Sequence, residues 1–191
     1  MQYTAPGSGV IIPLISKLWY PTPPGIAGFN GSTSSMTVGQ LNAIPLIVPT
    51  PTSFINLTCN VGNIGAAAIV RIGIYADNGG TPVGGKLLLD AGNVNIINSG
   101  VTGNVIPINI TLAPGIYWIT TVLISATTKP TVYFVVPLNM YGYNYSSQNA
   151  VFTNGVLSTA STYTGVLPAI FPSISPLVLS SVVMSSFIQV A

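Results

Sequence analysis

The sequence predicts an all-β fold: an antiparallel β-sandwich, jelly-roll-like, preceded by an extended N-terminal arm. Three observations carry this. Apolar and polar residues alternate with a period of two over several short segments, as in strands with one buried face. Turn-forming clusters of Gly, Pro, Asn and Asp recur at a spacing of roughly 8–12 residues, the rhythm of sandwiches and barrels. No stretch of useful length carries the 3.6-residue period of a helix. A chain of 191 residues suits one such domain, and 49% hydrophobic residues suffice for a full core.

Residues 1–45 read as the arm. Pro6, Gly7, Pro13, Pro21, Pro23, Pro24, Gly25, Gly28 and Gly31 interrupt any regular element. Between them stand apolar anchors, with Leu18, Trp19 and Tyr20 the natural docking residues of an extended peptide. The sandwich domain follows over 46–191. Ser53–Val61 alternates, with Ile55, Leu57, Cys59 and Val61 expected on one face. Ala66–Ala76 is a strand that turns Val70, Ile72 and Ile74 inward. Asp77-Asn-Gly-Gly80 is a turn, because Asn and Gly tolerate positive φ. Lys86–Leu89 is a short strand, and Val105–Leu112 alternates again through Ile106, Ile108, Ile110 and Leu112. After the turn at Ala113-Pro-Gly115, Ile116–Ser125 is apolar on both faces and belongs at the centre of a sheet. Thr131–Val136, Asn149–Leu157 and Leu177–Val190 supply the last strands.

Charge is the unusual quantity. Charged residues make up 3% of the chain, against about 25% in an average soluble domain. A surface with six charges must be covered by Thr, Ser, Asn and Gly, or buried against other subunits. Both are expected, so the first partner is a second copy of the chain, in a homo-oligomer with a trimer as the expected closed form. The net charge of +2 and the lack of a basic patch leave no footprint for nucleic acid. Met1-Gln-Tyr-Thr-Ala-Pro-Gly7 lacks the basic start and apolar run of a secretory signal. The apolar tail 166–191 is broken by Pro168, Pro172 and Pro176 and reads as loop plus strand, so no membrane insertion is expected.

The residue inventory excludes most catalysis. With no histidine, neither a serine nor a cysteine can be activated by an imidazole. The lone Cys59 falls in an alternating strand and reads as a core residue. Asp77 and Asp90 are the only side-chain carboxylates, and they read as a turn opener and a strand-end cap rather than an acid/base pair. Zinc lacks ligands, two carboxylates make a poor calcium site, and Gly84-Gly-Lys86 enters a strand rather than the helix a phosphate cradle needs. No enzyme, metal or cofactor is expected. Arg71, on a strand between core residues, requires a carboxylate partner, and Asp90 or Asp77 must supply it. Tyr141, Tyr143 and Tyr145, spaced by two around Asn144, form one face of an extended segment. That face suits a subunit contact or a host-surface glycan.

Two segments together resemble a known module. They are Arg71-x-Gly-Ile-Tyr-Ala-Asp-Asn-Gly-Gly-x-Pro82, continuing to Leu87-Leu-Leu-Asp-Ala-Gly92, and Leu112-x-Pro-Gly-x-Tyr-Trp118. The likeness, over roughly residues 46–136, is to a β-sandwich module of structural virion proteins from tailed bacteriophages. It implies a place on the particle surface, among other virion proteins, as a fibre or spike subunit acting by assembly and host contact. A capsid decoration or cement protein is the alternative, and a carbohydrate-binding module using the tyrosine face is an alternative of another class.

Overall fold

A computed structural model describes residues 14–22, 29–100, 103–135, 157–158, 163–173, 178–179 and 186–191. The described residues contain thirteen strands and no helix. These are β1 (Trp19–Thr22), β2 (Phe29–Ser35), β3 (Leu41–Val48), β4 (Thr52–Cys59), β5 (Val61–Asn63), β6 (Ile69–Ala76) and β7 (Leu87–Asn95), then β8 (Ile106–Leu112), β9 (Gly115–Ser125), β10 (Thr131–Val135), β11 (Leu157–Ser158), β12 (Val178–Leu179) and β13 (Ser186–Val190). They form a four-stranded sheet in the order β1-β13-β4-β8, a six-stranded sheet β12-β11-β3-β9-β6-β7, and a small sheet β2-β10-β5. Every strand pairing is antiparallel. The fold is therefore all-β and sandwich-like.

The main core lies between the two larger sheets. Phe54, Leu57 and Cys59 of β4 and Ile188 and Val190 of β13 meet Val70, Ile72 and Ile74 of β6 and Ile119 and Leu123 of β9. This is the two-layer solution that period-two patterning demands. β9 is central, flanked by β3 and β6. Its odd residues Ile119 and Leu123 enter the main core, while Trp118 and Val122 enter a second apolar cluster on the outer face of the six-stranded sheet. That explains why β9 is apolar on both sides.

Within the span 1–45, the described residues are drawn into the sheets instead of standing clear as an arm. Trp19–Thr22 pairs with β13, Phe29–Ser35 with β10, and Leu41–Val48 with β9 along its whole length. Met36 is buried, and Leu14 and Tyr20 pack against the main core. Of the anchors between the prolines, Leu14 and Tyr20 have found this chain's own core, while Ile15 and Leu18 stay exposed.

The alternation expected in β4 fails at one point. Leu57, Cys59 and Val61 are buried, but Ile55 is 37% exposed and Phe54 is fully buried in its place. Against β13 the register shifts at this point: Asn56 pairs with Gln189 and Phe54 with Val190, which leaves Ile55 as the extra residue of β4. A bulge adds a residue and reverses the facing of everything before it. β7 also departs from expectation: it runs to Asn95, well past Leu89, and carries two register shifts against β6.

Candidate functional site

The charged residues of the central hairpin gather on the outer face of the six-stranded sheet. In β6, Val70, Ile72 and Ile74 point into the main core, so the intervening Arg71, Gly73 and Tyr75 face outward. β7 runs alongside with Arg71 opposite Asn93 and Gly73 opposite Asp90. The bulge between Ile72 and Gly73 brings Asp90 within reach of Arg71.

Arg71 and Asp90 form a fork-on-fork pair. Arg71 Nε donates to Asp90 Oδ1 at 2.8 Å and Nη2 to Oδ2 at 2.7 Å, while Nη1 donates to Asn93 Oδ1 at 3.1 Å. The Asp90 carboxylate also accepts the amides of Gly92 at 3.1 Å and Leu167 at 3.4 Å. Burial pushes the Asp90 carboxyl up. The hydrogen bonds and charge of Arg71, with the Gly92 and Leu167 amides, outweigh it and hold the group below the usual aspartate range.

Asp77 is not the partner of Arg71. Its Oδ1 accepts from Trp118 Nε1 at 2.8 Å, and its Oδ2 accepts from the Gly80 amide at 2.8 Å. The second bond closes the turn, with Gly79 at φ 70° and Gly80 at φ 90°, a backbone that favours glycine. The first bond satisfies the indole of a tryptophan that is almost fully buried. Both carboxylates thus serve the framework.

A strap of chain, residues 163–173, lies over this face. Tyr163 donates its amide to Gly39 O at 2.8 Å. Leu167 packs onto Gly73, where a Cβ would stand 2.3 Å from Leu167 Cδ1 and 2.7 Å from Leu89 O. Phe171 meets the Tyr75 ring edge-on, with centroids 5.2 Å apart, a favoured aromatic geometry. Tyr75 donates its hydroxyl to Pro168 O at 2.7 Å. Burial, then the charges of Asp90 and Tyr163, push the Tyr75 phenol well up, so it remains a donor. Backbone bonds complete the seal: Leu87 donates to Ala169 O at 2.9 Å, Phe171 to Gly85 O at 2.8 Å and Gly84 to Phe171 O at 3.0 Å.

The other expected site residues are elsewhere. Trp19 and Tyr20 lie on β1, paired with Gln189 and Ile188 of β13, while Leu18 remains 49% exposed. Their docking surface is this chain's own C-terminal strand. Tyr141, Tyr143, Asn144 and Tyr145 lie outside the described residues. A shallow apolar groove lined by Ala67, Ala68, Ile69, Asn95, Ile96 and Ile97 carries no titratable side chain. Among the described residues, no group of three or more His, Cys, Asp or Glu converges on a metal-sized space, and no helix is long and apolar enough to cross a membrane.

The strap and the Asp77–Trp118 contact were not foreseen from sequence. Leu167 and Phe171, each followed by a proline, are the only local sign of the strap. Comparison with protein-family models, with curated proteins and with solved structures finds no match for this chain.

Proposed function

We propose that this chain is a structural subunit that works by assembly, a component of the surface of a tailed-phage particle in the form of a homo-oligomeric fibre or spike. One observation carries the structural reading: both side-chain carboxylates of the protein are committed to the framework, Asp90 to Arg71 and Asp77 to Trp118 and the Gly80 amide. With no histidine in the chain, general acid–base chemistry is left without its usual groups. The near-neutral exterior supports association as the mode of action. Three of the four cationic side chains, Lys17, Lys86 and Lys129, are exposed, and no carboxylate remains to answer them. A surface so poor in charge is well suited to contact with like surfaces. The phage assignment rests on the resemblance of the Arg71–Gly92 and Leu112–Trp118 segments.

The test is the mass of the purified chain by light scattering, followed by localisation on particles by cryo-electron microscopy. A closed oligomer sited on the particle surface is expected. Tens of copies per particle match a fibre, whereas hundreds match a decoration protein. A monomer at every concentration overturns the assembly reading.

A further inference from the structure

The loop between β6 and β7 contains Asn78-Gly79-Gly80, and it sets an electrophilic carbon beside an unguarded nucleophile. All three residues are exposed. Two of their three backbone amides are committed: Asn78 donates to Thr81 O at 2.7 Å, and Gly80 to Asp77 Oδ2 at 2.8 Å. The Gly79 amide between them makes no hydrogen bond within the protein. Gly79 also stands at φ 70°, and a Cβ built on it would meet nothing within 4 Å, so its nitrogen is left unshielded. The carboxamide carbon it faces belongs to the residue just before it, so attack there is intramolecular and closes a small ring without the entropic cost of an encounter.

The same carboxamide has a structural task. Asn78 Nδ2 donates to Val83 O at 2.8 Å, tying the two sides of the loop together. Gly84 lies so close over it that a Cβ there would stand 2.9 Å from Nδ2. The chain just beyond this tie holds the strap: Gly84 donates to Phe171 O at 3.0 Å and Phe171 to Gly85 O at 2.8 Å. We propose that Asn78 is a self-modifying site, at which the Gly79 nitrogen displaces the side-chain amide, and that the product releases the tie steadying the strap. The Gly79 N–H gives its proton to solvent and its nitrogen bonds to Asn78 Cγ. The Cγ–Nδ2 bond breaks, and Nδ2 leaves as ammonia. Water then opens the cyclic imide at either carbonyl. The residue left at position 78 is aspartate, or isoaspartate with the main chain rerouted through Cγ, and nothing is oxidised or reduced. Either product lacks the amide donor, so the Val83 carbonyl loses its partner. A new carboxylate also arrives beside Asp77, in a chain that otherwise carries two on its side chains, and the two like charges repel. The reaction needs no second copy of the chain.

The test follows the folded wild-type chain through a prolonged incubation in mildly alkaline heavy-oxygen water. Peptide mapping by mass spectrometry separates Asn78-Gly79 from the other Asn-Gly pairs, Asn30-Gly31 and Asn154-Gly155. The expected result is conversion at Asn78, with one heavy oxygen incorporated and two products, aspartyl and isoaspartyl. Gly79→Ala, whose methyl has room, should slow conversion severalfold, because that methyl crowds the attacking nitrogen. An Asn78 that stays intact in the folded chain, while it converts in the same chain unfolded in urea, overturns the site. Aspartate alone, formed equally fast in Gly79→Ala, overturns attack by Gly79 in favour of direct hydrolysis. The consequence is read separately, by hydrogen exchange of the Gly84 and Phe171 amides in fresh wild type, aged wild type and Asn78→Asp. The aged chain and the variant should both exchange these amides severalfold faster than the fresh chain, with the amides of β9 unchanged. Equal rates in all three overturn the release of the strap.

Discussion

At the scale of single residues, Arg71 is the charge on which most depends. Its guanidinium and the Asp90 carboxylate keep only 17% and 21% exposure, so removing one leaves the other poorly solvated. Arg71→Ala should cost roughly 2–4 kcal/mol, somewhat under the range for a fully buried pair, and urea denaturation measures it. Arg71→Lys keeps the charge but loses the fork, and should fall between the wild type and Arg71→Ala. The sign of the pH dependence follows from the lowered Asp90 carboxyl. Its stabilisation is present above the unfolded aspartate value of about 3.9 and is lost as pH falls through the lower folded value. A melting-temperature series in acid should show that loss in the wild type and a flattened acid limb in Asp90→Asn. Gly73→Ala tests the hollow under the strap. The new methyl meets the Leu89 carbonyl at 2.7 Å as well as Leu167, and a backbone atom gives way poorly, so a loss of about 1–3 kcal/mol is expected in thermal denaturation. The pairing of Arg71 with an aspartate was legible in sequence, because a strand cation in a chain with two carboxylates has few options. The choice between them was not, since it depends on a bulge in β7 and on an indole reaching Asp77 from β9.

At the scale of elements, the strands show where periodicity informs and where it misleads. Val70, Ile72 and Ile74 follow the expected alternation because β6 is held between β7 and β9, with its core-facing side continuous. β9 was legible as central from its two apolar faces. β4 departs because the extra residue Ile55 is a property of its pairing with β13, which no local pattern encodes. The distinction can be measured. Phe54→Ala should cost about 3–5 kcal/mol as a fully buried aromatic, whereas Ile55→Thr, at a partly exposed site, should cost well under half of that in the same denaturation series. If the bulge were absent, the order would reverse. The strap escaped notice for a different reason. Its anchors, Leu167 and Phe171, have partners some ninety residues earlier, at Gly73 and Tyr75, and local periodicity carries no trace of such contacts.

At the scale of the whole molecule, Cys59 reports on cooperativity. It is fully buried between the two larger sheets, and burial pushes its thiol up to about 12. The folded chain should therefore leave a thiol reagent unreacted at neutral pH, and labelling should appear only with global unfolding. Rapid labelling under native conditions would show that the sheets separate locally. The described edges of the sheets carry their own protection: Pro21 in β1 and Pro107 in β8 each remove a donor, and Gly92, at φ 91°, sits within β7, so lateral pairing is discouraged where strands end the sheets. A last consequence is mechanical. β1 and β13 lie side by side, Trp19 against Gln189 and Thr22 against Ser186, so the chain enters one strand and leaves the other at the same end. Tension applied through Leu14 and Ala191 therefore peels this pair open one bond after another, where opposed ends would have sheared all its bonds together. Force applied instead through the central strands β3, β9 and β6 would avoid this seam, which is built to unzip.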